Sequence, residues 1–122
     1  MWYYVKKLQY PANVSRTDLG MAKFLYAQYG GPDSELSAAV RYLTQRYTMP
    51  IPQAKATLTD IGTEELAHWE IIGTLIYKLT DGATPEQMRR AGLGDHFTQH
   101  DNALYHHDAA GVPWTAAYIQ AT

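Results

Sequence analysis

The stretch PQAKATLTDIGTEELAHWEIIGTLIYKLT, residues 52–80, decides the fold of this chain. Its apolar residues recur in alternating steps of four and three along one helix face; they are Ala54, Leu58, Ile61, Ile72, Leu75 and Leu79. The same count from Ile61 reaches Glu65 and then His68 before it returns to Ile72. A carboxylate and an imidazole therefore occupy two positions in the seam that a helical bundle normally fills with apolar side chains.

The preceding helix is predicted to pack against this one as an antiparallel neighbour. Asp33 or Ser34 can cap its start, and a stripe with helical spacing is expected to be buried; it comprises Leu36, Ala39, Val40, Leu43 and Tyr47. The link Met49-Pro50-Ile51-Pro52 cannot continue that helix, whereas Pro52 suits the first turn of the next. Because the link is short, we expect a helical hairpin.

The whole chain of 122 residues is predicted to form one all-α domain, half of a four-helix bundle that another chain completes. Its segments are an extended aromatic arm (1–16), the first bundle segment with a short helix from about Asp18 to Tyr29 (17–48), the long helix (52–80), a short capped helix (84–92) and an irregular tail (93–122). The tail has neither helical nor strand periodicity, so we expect it to wrap a neighbouring chain.

Composition excludes several classes of function. The net charge is −2, and the ten basic residues are scattered, so nucleic acid is not an expected partner. The absence of cysteine leaves only carboxylate and imidazole to hold a metal ion. The start MWYYVKKLQYP lacks the order of a signal peptide, and no segment approaches the roughly 20 apolar residues of a membrane span. A soluble, cytoplasmic protein without membrane contact is expected.

The chemistry is predicted to lie on Glu35, Glu65 and His68. Glu65-x-x-His68 places two ligands one turn apart on one helix face, and hairpin folding can bring Glu35 beside them. A dimetal site in a four-helix bundle needs a Glu from each of two helices and a Glu-x-x-His from each of two more. This chain offers one clear example of each, so a second copy must come from elsewhere.

Each of these residues also has a simpler interpretation. A lone Glu-x-x-His arises often by chance on surface helices, and Glu35 could be a first-turn glutamate favoured by the helix dipole. The position of Glu65 favours metal, because a carboxylate in an apolar seam is costly unless paired, and no Lys or Arg lies within a turn of it.

Other polar residues near these three, and in the tail, are given secondary roles. Tyr42 lies two turns after Glu35 on the same face and could hydrogen-bond a ligating carboxylate or fill the core. Glu64 and Glu70 are expected to face solvent or to contact the side chains that bind the metal without binding it themselves. His96, His100, His106 and His107 lie in the tail without defensible ligand spacing, so surface or interface positions are expected for them.

Three stretches carry a resemblance to a known family: GGPDSELSAAVRYLTQRY, LTDIGTEELAHWEIIGTLIYKLT and GVPWTAAYIQ. Together they strongly resemble the manganese catalases, including the spore-coat members of that group. The resemblance runs from Trp2 through Gln120 and implies a ferritin-like fold. It also implies that Glu35 is the terminal carboxylate of one manganese ion, Glu65 a carboxylate that bridges both ions, and His68 an imidazole ligand.

The resemblance covers only the N-terminal half of the family, which continues with two further helices bearing another Glu and another Glu-x-x-His. We therefore expect a homo-oligomer, at least a dimer, in which each copy supplies Glu35, Glu65 and His68. The alternative source is the missing C-terminal half of a catalase on a separate polypeptide. The implied reaction is disproportionation of hydrogen peroxide with two manganese ions per complete site.

Two other functions stay open. The first is a structural or coat-assembly protein that keeps the half-fold without turnover, which would place the chain in the spore coat. The second is a ferroxidase-like, iron-binding half-ferritin, because these ligand types separate iron from manganese poorly.

Overall fold

The computed structural model describes residues 3–94 together with the backbone of residues 97–100 and 103–106. The predicted helical architecture is confirmed. Its elements are α1 (Leu19–Gly30), α2 (Glu35–Gln45) with a following 3-10 turn (Arg46–Thr48), α3 (Pro52–Thr80) and α4 (Pro85–Arg90). Within this part of the chain, no helix combines the length and the apolar character needed to cross a membrane.

The hairpin of α2 and α3 is held by close packing between the two helices. Ser34 caps α2, because its hydroxyl oxygen accepts a hydrogen bond from the Ser37 amide at 3.1 Å. Further along, a Cβ built on Gly62 of α3 would lie 2.7 Å from Cγ of Leu43. At the far end Arg46 donates to the Thr59 hydroxyl at 3.3 Å. The helices are therefore antiparallel, with glycine at the point of closest approach.

Replacing Gly62 with alanine is expected to lower the free energy of unfolding by up to about 2 kcal/mol. Overpacking costs about 1–3 kcal/mol, and the higher helix propensity of alanine offsets about 1 kcal/mol of that. Denaturant unfolding, monitored by the circular dichroism signal of the helices, measures this change in free energy. Gly20→Ala is the matched control, because its new Cβ would meet Asp18 at an ordinary 3.6 Å. Equal stability of the two variants would contradict close packing at Gly62.

The stripe predicted to be buried on α2 is only partly buried. Ala39 is buried and Leu43 contacts α3, as expected. Leu36, Val40 and Tyr47 are instead exposed, Val40 to 60% and Tyr47 to 71%. The prediction was wrong for these three because α3 covers one flank of α2, and the described residues leave the other flank open.

The main core lies at the C-terminal end of α3. It is formed where α1 and the segment from α4 to Leu93 pack on that end; the buried members are Ala22, Tyr26, Ile76, Leu79, Met88 and Leu93. Two hydrogen bonds fasten the start of α1 there: the Asp18 backbone amide donates to the Leu79 carbonyl at 2.9 Å, and the Thr17 side-chain hydroxyl donates to the Asp81 carbonyl at 2.6 Å. This core anchors the long helix, so that its middle is held in place beside α2.

The N-terminal arm lies along α3 of its own chain. The Lys78 ammonium group donates to the Ala12 carbonyl at 2.6 Å, and the Gln9 side-chain amide donates to the Glu64 carboxylate at 3.0 Å. Aromatic residues of the arm are nevertheless exposed, Tyr3 to 85% and Tyr10 to 63%. The arm is therefore fixed to the hairpin and presents tyrosines on its outer side.

The structure of the tail differs from the predicted irregular segment at two places. Two short strands, β1 (Phe97–His100) and β2 (Ala103–His106), pair antiparallel with Phe97 opposite His106. The prediction of a wholly irregular segment was wrong here, because strands of four residues are too short to show an alternating pattern. Asp101 and Asn102, two residues of turn-favouring type, separate the strands in the sequence. The predicted contact of the tail with a neighbouring chain, and the interpretation of its histidines, lie outside the described residues.

Candidate metal centre

The structure brings together the three side chains that the sequence pattern selects. Glu35 is the first residue of α2, directly after the Ser34 cap. Glu65 and His68 lie one turn apart in the middle of α3. One ligand atom from each residue can be chosen so that all three atoms lie within 4.8 Å of one another. The antiparallel hairpin thus places the start of α2 beside the middle of α3, as the predicted site requires.

The two carboxylates converge on one nitrogen of the imidazole. His68 Nδ1 lies 3.3 Å from Glu65 Oε2 and 3.6 Å from Glu35 Oε2. The Glu65 side chain is 18% exposed, and the side chains of Glu35 and His68 are about one third exposed. All three are therefore half-buried on one face of the hairpin, where they remain accessible to a further ligand or to a covering protein surface.

The electrostatics of this cluster show an excess of negative charge. The pKa of Glu35 is raised, first by a hydrogen bond with Glu65, then by burial and by the charge of Glu65. His68 acts in the opposite direction and lowers the pKa of Glu35, but with a smaller effect. Among residues 3–94 no lysine or arginine forms an ion pair with Glu35 or Glu65. The negative charge of Glu65 therefore disfavours ionisation of Glu35, and a bound cation would relieve this repulsion.

The donor set fits a divalent metal ion such as manganese. Carboxylate oxygens with one imidazole nitrogen are the hard and borderline donors that manganese and iron accept. The same oxygens lie at a helix N-terminus and on a neighbouring helix, so that the protein backbone fixes their separation. Glu35, Glu65 and His68 are thus the residues that would hold the metal. In an iron or manganese centre of this type, a second trio of ligands faces the first.

Glu35→Gln is expected to raise the unfolding temperature of the metal-free chain at neutral pH. The raised pKa means that folding favours the protonated form of Glu35, so the ionised carboxylate beside Glu65 destabilises the metal-free fold. For half-exposed carboxylates this repulsion is worth at most about 1 kcal/mol, so the gain should be about 1–4 °C. Differential scanning calorimetry of both chains, with and without Mn²⁺, measures it.

The same variant should lose the stabilisation that Mn²⁺ gives to the wild-type chain, because a neutral amide is a poorer ligand. Glu86→Gln is the control, since Glu86 pairs with Arg90 at 3.2 Å on α4. An unchanged or lower melting temperature for metal-free Glu35→Gln would argue against repulsion at the site.

The remaining predicted residue, Tyr42, is half-buried on α2. The Arg41 guanidinium carbon lies 5.9 Å from the centre of its ring. Within residues 3–94 no hydrogen bond links the Tyr42 hydroxyl to Glu35, Glu65 or His68. Its role as a hydrogen-bond partner of a ligand therefore stays a prediction.

Sequence reasoning left open the role of Glu64 and missed the role of Gln9. Glu64 Oε1 lies 3.9 Å from His68 Nε2, and the same oxygen accepts the hydrogen bond from Gln9. The position of Glu64 four residues before His68 is a signal for contact on a helix. Nothing in the sequence predicts a contact between residues 55 positions apart, such as that of Gln9 with Glu64.

A helical hairpin that presents a Glu from one helix and a Glu-x-x-His from the next is typical of ferritin-like helical bundles, and this defines the class of the protein. The family follows from comparison with known proteins. The chain belongs to the manganese-containing catalases, whose family model matches residues 1–122. The resemblance seen in the sequence is thereby confirmed.

The alignments with similar proteins span nearly all of this chain but only part of each similar protein. Protein CotJC of Bacillus subtilis (strain 168) is 63% identical over 121 residues, which are 99% of this chain and 64% of that protein. A manganese catalase of Bacillus subtilis is 33% identical over 135 residues, with 100% of this chain and 50% of that protein covered. The chain thus spans about half to two thirds of the length of these relatives.

A solved structure shows the same fold. The crystal structure of KatB, a manganese catalase from Anabaena, superposes with a TM-score of 0.71 at 28% sequence identity. The match covers 100% of this chain and 54% of KatB. The ferritin-like half-fold is therefore confirmed by structure as well as by sequence.

Proposed function

We propose that this chain supplies half of a dimanganese centre that disproportionates hydrogen peroxide to water and dioxygen. The convergence of Glu35, Glu65 and His68 within 4.8 Å carries the proposal. Membership of the manganese catalase family supports manganese over iron, which the ligand types alone do not separate. Two manganese ions per complete site are proposed.

The other half of the centre is proposed to come from a second chain. A symmetric bundle site needs two copies of the trio, and residues 3–94 provide one. A two-fold axis between two copies of the hairpin would give four carboxylates and two imidazoles. The missing half of a longer catalase would provide the same helices. Ile61, one turn before Glu65 on the ligand face and 39% exposed, supports the need for a covering partner.

In this proposal each residue has a distinct task. When bound, a pair of manganese ions would supply the two-electron change that couples oxidation of one peroxide to reduction of another. As the family resemblance implies, Glu65 would hold the metal as a carboxylate shared by both ions, Glu35 as the carboxylate of one ion and His68 as the imidazole donor. The negative charge of both carboxylates would help to neutralise the cations, and a bound cation would offset the neighbouring charge that raises the pKa of Glu35. The covering partner excludes bulk water from the site.

Oxygen release from hydrogen peroxide by the manganese-loaded chain tests this function. We expect release that depends on manganese and that Glu65→Ala abolishes, because this substitution removes one of the carboxylates that would hold the metal. Glu86→Ala is the control, since it removes the same charge from an exposed position on α4. A manganese-loaded chain that releases no oxygen would contradict catalase activity for this chain.

A second candidate function, an assembly protein of a coat, is favoured by the exposed aromatic side chains. The arm presents Tyr3 and Tyr10, and the 3-10 turn after α2 presents Tyr47, all more than half exposed. Such residues suit contacts between proteins. The spore coat would then be its location, with the cytoplasm as the alternative. Ordered assemblies that form without manganese and release no oxygen would favour this function.

A further inference from the structure

The two ring nitrogens of His68 face different carboxylates. Nδ1 lies toward the proposed metal side, 3.3 Å from Glu65 Oε2 and 3.6 Å from Glu35 Oε2. Nε2 lies toward Glu64, whose Oε1 is 3.9 Å away. Glu64 precedes His68 by one helical turn, so α3 itself sets this arrangement. The orientation of the ring is thus defined from both sides.

Glu64 is in turn held by the N-terminal arm. The Gln9 side-chain amide donates to Glu64 Oε1 at 3.0 Å, the same oxygen that faces His68 Nε2. The arm is fastened a few residues later, where Lys78 donates to the Ala12 carbonyl at 2.6 Å. Gln9 therefore reaches Glu64 from a segment that is itself anchored to α3. The half-exposed Glu64 side chain gains a preferred position from this contact.

We propose that Glu64, held by Gln9, is a positioning residue for His68. Its carboxylate accepts a hydrogen bond from Nε2–H of the imidazole, which leaves the Nδ1 lone pair to bind metal and fixes the plane of the ring. The inference rests on the proposed metal-binding role of His68. A distance of 3.9 Å is longer than a hydrogen bond, and rotation of the half-exposed Glu64 side chain is enough to close it.

The physical basis is that the metal affinity of a histidine depends on the hydrogen bond made by the ring nitrogen that does not bind the metal. A hydrogen bond accepted from one ring N–H selects the tautomer in which the other nitrogen carries the lone pair, and it raises the basicity of the ligand. Removal of such a partner typically lowers metal affinity by about 10–100-fold. The N-terminal arm would thereby contribute to the metal centre without contacting the metal.

Substitutions at Glu64 separate positioning from simple charge attraction. We expect Glu64→Ala to lower the Mn²⁺ affinity of the full chain about tenfold. Glu64→Gln should retain affinity to within about threefold, because its amide oxygen still accepts a hydrogen bond from Nε2–H. Gln9→Ala should lie between them. Asp60→Ala is the control, since it removes the same charge from an exposed position of α3 about one turn before Glu64. Electron paramagnetic resonance of free Mn²⁺ gives the affinities.

A second measurement does not depend on metal. In the metal-free chain Glu65 competes with Glu64 for the ring N–H, because His68 Nδ1 lies 3.3 Å from Glu65 Oε2. Nitrogen-15 NMR of that chain should therefore show a larger share of the Nε2–H tautomer in the wild type and in Glu64→Gln than in Glu64→Ala. Thermal unfolding of each variant checks that the fold is intact, which we expect because the Glu64 side chain is half-exposed.

The results overturn the proposal in any of three cases: wild type and Glu64→Ala bind Mn²⁺ equally, Glu64→Gln binds as weakly as Glu64→Ala, or the Nε2–H signal is the same in all chains. A wild-type chain that binds no Mn²⁺ contradicts the proposed function instead. In that case the NMR series alone decides whether Glu64 positions the ring.

Discussion

The His68→Ala chain is expected to bind Mn²⁺ more than about 100-fold more weakly than the wild type. Loss of a partner outside the ligand shell already costs about 10–100-fold, and this substitution removes a ligand itself. It has a second effect, because His68 is the neighbour that lowers the pKa of Glu35. Without the imidazole the pKa of Glu35 rises further, which disfavours the ionised carboxylate that binds metal.

Isothermal titration of metal-free chains with Mn²⁺ measures this loss. Thr63→Ala is the control on the same helix, since the Thr63 hydroxyl donates only to backbone carbonyls of its own helix, those of Thr59 and Asp60. Affinity in His68→Ala within a few fold of the wild type would show that the imidazole is not a ligand, and the site would then need a different set of donors.

The Ile61→Asp chain is expected to associate at least about 100-fold more weakly than the wild type and to retain less manganese. Ile61 lies one turn before Glu65 on the ligand face and is 39% exposed in the single chain. If a second chain covers that face, the substitution buries an unpaired carboxylate, which costs several kcal/mol. A cost of about 2.7 kcal/mol already corresponds to 100-fold in the association constant.

Sedimentation velocity over a range of concentrations measures the association. Ala56→Asp is the matched control, because Ala56 is exposed on the side of α3 that lies opposite Glu65 around the helix axis. Association that is equally strong in Ile61→Asp and in the wild type would place the covering surface elsewhere on the molecule, for example on the exposed flank of α2 at Val40.

The centre of the fold was predictable because one periodic pattern specifies both packing and chemistry. The alternating steps of four and three that place Leu58 and Ile72 in a seam also place Glu65 and His68 there. A pattern of this kind is local, since it depends only on residues a turn apart. The position of Glu35 beside these two residues could be predicted only with one further inference, the antiparallel hairpin that the proline-rich link indicates.

Contacts between distant segments were not predictable from the pattern. The Gln9 amide meets Glu64 through a path of the arm that no periodicity describes. The exposure of Val40 and Tyr47 had a related cause: the stripe on α2 is wider than the contact with α3, so helical spacing overestimated burial. The strands β1 and β2, with four residues each, were below the length at which alternation becomes visible.

The central claim is that Glu35, Glu65 and His68 of one chain form half of a dimanganese centre that a second chain completes. The most direct test is the manganese content of the purified full chain together with the mass of the species that carries it. We predict about one manganese ion per chain, carried by a species of two or more chains. Manganese-free chains after loading, or full manganese binding by a monomer, would contradict the claim.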